Sequence, residues 1–127
     1  MKKLLTIVLL LGCTVGPVVA IFVYESARTR SITVEILARA PERGNFLPRK
    51  VVLRVGEKAT LRVRNVDCVT HGFSIPGLNI AGGDIKAGHY ALFEITPTKI
   101  GQYDFYCTAW CSDHHLQMRG VIDVVAK

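Results

Sequence analysis

The residues best suited to chemistry crowd into one short stretch near the end of the chain. Residues 107 to 118 read Cys-Thr-Ala-Trp-Cys-Ser-Asp-His-His-Leu-Gln-Met, which places Cys107, Cys111, His115 and Met118 at the spacing C-x-x-x-C-x-x-x-H-x-x-M. Two thiols, an imidazole and a thioether make a soft donor set. Sulfur combined with imidazole nitrogen selects copper, whereas methionine is a poor ligand for zinc, calcium or magnesium. One more donor, His71 in Thr-His-Gly-Phe, stands upstream. The chemistry therefore depends on whether the fold carries His71 to the loop.

Two readings of the cysteine pair are open at this point. Cys13 lies in an apolar N-terminal run, which leaves Cys68, Cys107 and Cys111 for the rest of the chain. Cys107 and Cys111 could form a disulfide with Cys68 left free, or act as metal thiolates. The metal reading is favoured, because a bridge alone has no need of His115 and Met118 behind it. A single copper held by His71, Cys111, His115 and Met118 would also satisfy the spacing. His114 is off register by one residue and is expected at the rim of the site. His89 has no such context and is expected on the surface. Trp110 fits either a packing residue or an exposed aromatic for electron entry.

The elements that must position these donors follow from the patterning. The chain has 127 residues and a net charge of +6. Residues 25–64 carry ten Lys/Arg against four Asp/Glu, and residues 65–127 carry four against six. The basic residues alternate with Val and Leu, as on the solvated faces of strands, instead of clustering with exposed aromatics as a nucleic-acid partner would require. After Met1-Lys2-Lys3, residues Leu4 to Tyr24 carry no charge, enough for a helix of roughly 30 Å. The expectation is one N-terminal transmembrane helix within a membrane or signal segment and linker (residues 1–30), followed by one domain (residues 31–127). Lys2 and Lys3 favour export of that domain to the periplasmic or extracytoplasmic side, although Arg28 and Arg30 weaken the argument. Leu10-Leu11-Gly12-Cys13 also resembles a lipoprotein processing site, and Val18-Val19-Ala20 a signal-peptidase site. The apolar run continuing to Tyr24 speaks against both.

Beyond residue 30 the pattern is that of strands. They are expected over Ile32–Ala38, Lys50–Val55, Ala59–Arg64, His71–Gly77, His89–Thr96, Gly101–Cys107 and Arg119–Ala126. Ala59, Leu61 and Val63 share one face, as do Ala91, Phe93 and Ile95, and Tyr103, Phe105 and Cys107. With seven or eight short strands and frequent turn signals, the expected fold is an all-β Greek-key sandwich or barrel. Cys107 then arrives on an inward face at a strand end, and His71 can reach the same pole.

His71-Gly72-Phe73, the lead-in Gly101-x-Tyr-x-Phe-x-Cys, and the Cys107 to Met118 spacing followed by Gly120 resemble the dinuclear CuA domain of cytochrome c oxidase subunit II, within the cupredoxin superfamily. The electron-entry domain of nitrous oxide reductase shares the signature. The resemblance covers roughly residues 32–126. It implies a cupredoxin-like fold and two copper ions bridged by Cys107 and Cys111. His71 and Met118 would complete one copper, and His115 with the backbone carbonyl of Ala109 the other. It further implies electron transfer from cytochrome c or a small copper protein to a haem-copper oxidase core subunit or another terminal reductase, with the membrane reached through the N-terminal helix. Two features depart from the family pattern: at most one span replaces a two-helix hairpin, and Cys68 stands three residues before His71 where an acidic residue is expected, with Asp67 one place earlier. A stand-alone CuA or blue-copper carrier and a copper delivery protein are the alternatives. There is no triad, paired carboxylates or phosphate loop for bond-making catalysis, so any enzyme activity would belong to an assembled complex.

Overall fold

The computed structural model describes residues 2–27 and 31–127. The chain divides into two compact units, Met1–Arg30 and Ser31–Lys127. In the first, helix α1 covers Lys2–Ala27. Among the described residues no helix is long and apolar enough to cross a membrane. This corrects the expected transmembrane helix. Beyond Lys3, the side chains described along α1 are those of residues 10–26. That stretch includes Gly12, Thr14, Gly16 and Pro17 and closes on Tyr24-Glu25-Ser26. An absence of charge is thus a weaker condition than sustained apolarity. The helix also runs on through Glu25, where a linker was expected. Met1, Arg28 and Arg30, which enter the argument about orientation, lie outside the described residues.

The second unit contains eight strands: β1 Ser31–Ala38, β2 Lys50–Arg54, β3 Lys58–Asn65, β4 Ser74–Ile75, β5 Ile80–Ala81, β6 Tyr90–Ile95, β7 Gly101–Tyr106 and β8 Arg119–Val125. They form a three-stranded sheet in the order β1-β3-β6 and a five-stranded sheet in the order β2-β8-β7-β4-β5. Strands β1 and β3 are parallel, as are β2 and β8. The chain leaves the first sheet after β1, contributes β2 to the second and returns as β3, so a hairpin cannot join the parallel pair. The all-β sandwich expected from the patterning is the fold observed.

The core between the sheets follows from alternation. Ala59, Leu61 and Val63 on β3 are fully buried, and so is Ile36 on β1. At one end three buried rings interlock. Phe46 meets Phe73 and Phe105 edge-on at centroid distances of 5.8 and 5.3 Å, and Phe73 lies 5.3 Å from Phe105. Such pairs add about 0.5–1.5 kcal/mol beyond the area they bury. Phe73 follows His71 by two residues and Phe105 precedes Cys107 by two, so the cluster anchors both chain segments that supply donors.

Strand lengths differ from expectation around His71. The expected strand over 71–77 survives only as Ser74–Ile75, because Pro76 has no N–H to continue a ladder and opens a short 3₁₀ turn, Pro76–Leu78. His71 makes one isolated bridge with Ile85, its N–H and C=O bonded at 3.1 and 2.7 Å. Residues 78–88, between the expected strands over 71–77 and 89–96, also contain β5.

Candidate metal centre

Strand β7 ends at Tyr106, and Cys107 continues its inward phase one residue beyond. The Cys107 N–H donates to Met118 O at 3.0 Å, extending the β7–β8 ladder by a rung and closing the base of the loop. Within the loop, Ser112 O accepts from His115 N–H at 3.0 Å, and a 3₁₀ turn over His115–Gln117 delivers Met118 back inward. Asn45 holds the turn from outside, its Nδ2 donating to Gln117 O at 2.8 Å.

These constraints converge the donors. Cys107 Sγ and Cys111 Sγ are 4.0 Å apart and both thiols are free. The distance rules out the disulfide reading for this structure. His71 Nδ1 is 3.8 Å from Cys107 Sγ, and the Ala109 carbonyl oxygen is 3.1 Å from the same sulfur. On the other sulfur, His115 Nδ1 and Met118 Sδ each lie 3.6 Å from Cys111 Sγ. Each cysteine therefore has one imidazole and one weaker donor beside it. His71 is fully buried, and Cys107, Cys111 and Met118 are at most 8% exposed. His115 is half-buried, its ring tilted against exposed Trp110 at 5.7 Å. His114 points outward to Glu42, Nδ1 to Oε1 2.7 Å, and His89 is exposed. A pocket of about 340 Å³ lined by Tyr106, Cys107, His115, Leu116, Met118 and others opens beside the cluster.

Gly72 is required by close approach. A Cβ there would strike the Thr108 hydroxyl and lie 3.0 Å from the Ala109 backbone nitrogen. Its N–H also points at Cys107 Sγ, 3.3 Å away.

Burial first, and then the Cys107 thiol beside it, push the Cys111 thiol up to about 12. Burial likewise pushes His71 down, against a raising effect from Asp67. Burial works to raise Asp67 too, but donors outweigh it. Ala40 N–H and Cys68 N–H, each at 2.8 Å, together with the Arg43 guanidinium, hold its carboxyl well below the usual carboxylate range. Asp67 Oδ2 is 3.4 Å from His71 Nε2. That is close enough for an ion pair, yet Nε2 has no partner with hydrogen-bond geometry.

Asn65 and Asn45 were not singled out from sequence, and Asp67 was noted only as an acidic residue one place before the position where the resemblance expects one. One signal was available: the inward phase Ala59, Leu61, Val63 lands next on Asn65, an amide in a core slot. Asn65 is fully buried, donates to Val69 O at 2.7 Å and Ile85 O at 2.8 Å, and accepts from Asp67 N–H at 2.9 Å. It shapes the loop that presents both Asp67 and His71.

The donor set fits copper: thiol sulfurs, thioether and imidazole nitrogens meet in a largely buried site, and His71, Cys107 and Cys111 alone bring three ligand atoms within 4.8 Å of one another. A β-sandwich with such a cluster at one end defines a copper-binding, electron-transferring domain. The chain belongs to the cupredoxin-like domain family, which it matches over residues 5–124. It is 34% identical over 93 residues to nitrous-oxide reductase of Cupriavidus necator, covering 71% of this chain and 14% of that protein's length. Its fold is similar to the periplasmic domain of subunit II of cytochrome oxidase from Bradyrhizobium japonicum, with a TM-score of 0.60 at 20% identity over 75% of this chain and 84% of that one. A chain of a haem-copper terminal oxidase dimer superposes with a TM-score of 0.62 at 22% identity, covering 98% of both chains.

Proposed function

We propose that this chain is an electron-transfer domain with a dinuclear CuA centre, taking electrons from a small redox donor and passing them to a terminal oxidase or reductase. The ligands would be His71, Cys107, Cys111, His115, Met118 and the Ala109 carbonyl. The observation that carries the reading is the pair of buried, unbonded sulfurs 4.0 Å apart, each with its own imidazole Nδ1 alongside. When bound, two coppers sharing thiolate bridges would share one electron, so a change of oxidation state would ask little movement of the ligands. The chain's part is to keep the ligands still. The loop is tied at its base by the Cys107–Met118 rung and at its turn by Asn45, and the strand that leads into it is anchored by Phe105 packing on Phe46 and Phe73. Relatedness to nitrous-oxide reductase and fold similarity to oxidase subunit II support a terminal oxidase or reductase as acceptor. The Lys2-Lys3 start to an apolar run supports an exported domain on the extracytoplasmic side.

Copper-loaded protein should show EPR hyperfine structure from one electron shared by two coppers; a single-copper pattern would sink the proposal. Met118 Sδ and His115 Nδ1 both flank Cys111, which supports a second reading, a mononuclear blue-copper site. Cys107→Ser separates the two, abolishing a dinuclear centre and sparing a mononuclear one. A copper delivery role is disfavoured by ligands this deeply buried.

A further inference from the structure

The imidazole of His71 has unlike neighbours at its two nitrogens. Nδ1 faces Cys107 Sγ at 3.8 Å, and Nε2 faces Asp67 Oδ2 at 3.4 Å. Among the described residues, Nε2 is one of two buried side-chain nitrogens without a hydrogen-bond partner, the other being Arg62 Nε. A neutral imidazole carries one proton and one lone pair, so which nitrogen holds the proton decides which can bind a metal. Asp67 already accepts from three donors: Ala40 N–H on Oδ2, and Cys68 N–H and the Arg43 guanidinium on Oδ1. A carboxylate so engaged has no proton to offer. An unprotonated Nε2 would set a lone pair against it at a buried position.

We infer that Asp67 is a positioning residue that draws the His71 proton to Nε2 and so leaves the Nδ1 lone pair aimed at the two sulfurs. The carboxylate is suited to this because it is fixed from outside the ring. Asp67 is 9% exposed, Asn65 Oδ1 accepts its N–H, and Arg43 reaches it from the β1–β2 connection. Arg43 Nη1 also contacts Sγ of the exposed Cys68 at 2.9 Å. Groups of this kind orient metal-binding histidines and raise their basicity. Once copper is bound, a fixed negative charge beyond the ring favours the more oxidised state and lowers the reduction potential. This last step rests on the copper reading above, whereas the proton's location does not.

The test is the tautomer of His71 in the full apo-chain, read by long-range ¹H–¹⁵N correlation of histidine-labelled protein. Wild type should carry the His71 proton on Nε2. Asp67→Asn offers an amide hydrogen toward the ring and should shift the population to the Nδ1–H form, leaving His115 unchanged. Copper affinity in that variant should fall about 10–100-fold, with a higher reduction potential. A wild-type proton on Nδ1 would overturn the inference, as would a folded Asp67→Asn protein with unaltered tautomer and affinity. Should the variant fail to fold, the wild-type spectrum alone decides. A single-copper EPR pattern beside an Nε2–H tautomer would defeat the dinuclear reading and leave Asp67's role standing.

Discussion

The two sheets divide the work unequally. The three-stranded sheet is regular, with strands of six to eight residues, unbroken inward alternation, and an outer face of charge pairs and an Arg62–Tyr90 stack at 4.5 Å. It supplies no proposed ligand. The five-stranded sheet includes two strands of two residues each, and its β7 and β8 open onto the ligand loop. Its end turns backbone groups toward the site: Gly72 N–H meets Cys107 Sγ, and the Ala109 carbonyl stands beside the same sulfur. Regular pairing satisfies a strand's own backbone and leaves nothing for a metal. Irregularity at one end of one sheet is what frees those groups for the site, while the other sheet supplies a rigid wall.

The largest effect that tests this division is truncation of the core on either side. Phe105→Ala, on the strand that leads into the ligand loop, should lower apo-protein stability by about 3–5 kcal/mol, and Leu61→Ala in the regular sheet by about 2–5 kcal/mol, both in urea unfolding. Their copper spectra should differ. Folded Leu61→Ala should load copper with wild-type absorption, whereas Phe105→Ala should show an altered spectrum, since Phe105 sits two residues before Cys107 and packs on Phe46 and Phe73. An equal disturbance of the centre by Leu61→Ala would break the comparison.

A smaller change confined to the loop end sharpens it. Gly72→Ala places a methyl against the Thr108 hydroxyl and 3.0 Å from the Thr108 and Ala109 backbone nitrogens, so the Thr108 side chain and the backbone behind it must shift. Overpacking of this kind costs about 1–3 kcal/mol. Urea titration should show that loss, together with weaker copper binding in a chelator competition.

Acid should weaken copper binding for a reason local to the same end. Cys111 is pushed up to about 12, first by burial and then by Cys107, so in the apo-protein it stays protonated across the neutral range. Copper must displace that proton, so this thiol alone makes affinity rise about tenfold per pH unit, or about 1.4 kcal/mol, with no plateau near neutrality. The sign for apo-protein stability is the reverse. The folded value lies above the unfolded one of about 8.5, so the contribution is complete below about 8.5 and is lost as pH rises from there toward 12. Chelator competition at pH 6, 7 and 8 and apo-protein melts above pH 8.5 check the two arms.

The same division governs what was legible in the sequence. The regular sheet could be read residue by residue, because Ala59, Leu61 and Val63, or Ala91, Phe93 and Ile95, carry their burial in a period of two. The donors Cys107, Cys111, His115 and Met118 were legible because spacing within one loop is local. The group behind His71 was not: Asp67 gets its role from Ala40, Arg43 and Asn65, contacts up to 27 residues distant that no periodicity encodes. The N-terminal segment misled for a different reason, since its uncharged length hid Gly12, Thr14, Gly16 and Pro17.

The smallest effect belongs on the outer face of the regular sheet. Lys58 Nζ and Glu94 Oε2 are 3.2 Å apart, with side chains 45% and 68% exposed. Water and salt screen such a pair, and fixing two long side chains offsets much of the attraction, so a double-mutant cycle of Lys58→Ala and Glu94→Ala should give at most about 1 kcal/mol, falling further in high salt. The copper spectrum should not change in any member of the cycle. A coupling well above that value would mean that surface charges, and not the inward face of β3, hold the regular sheet, and that the wall behind the site is less rigid than its burial implies.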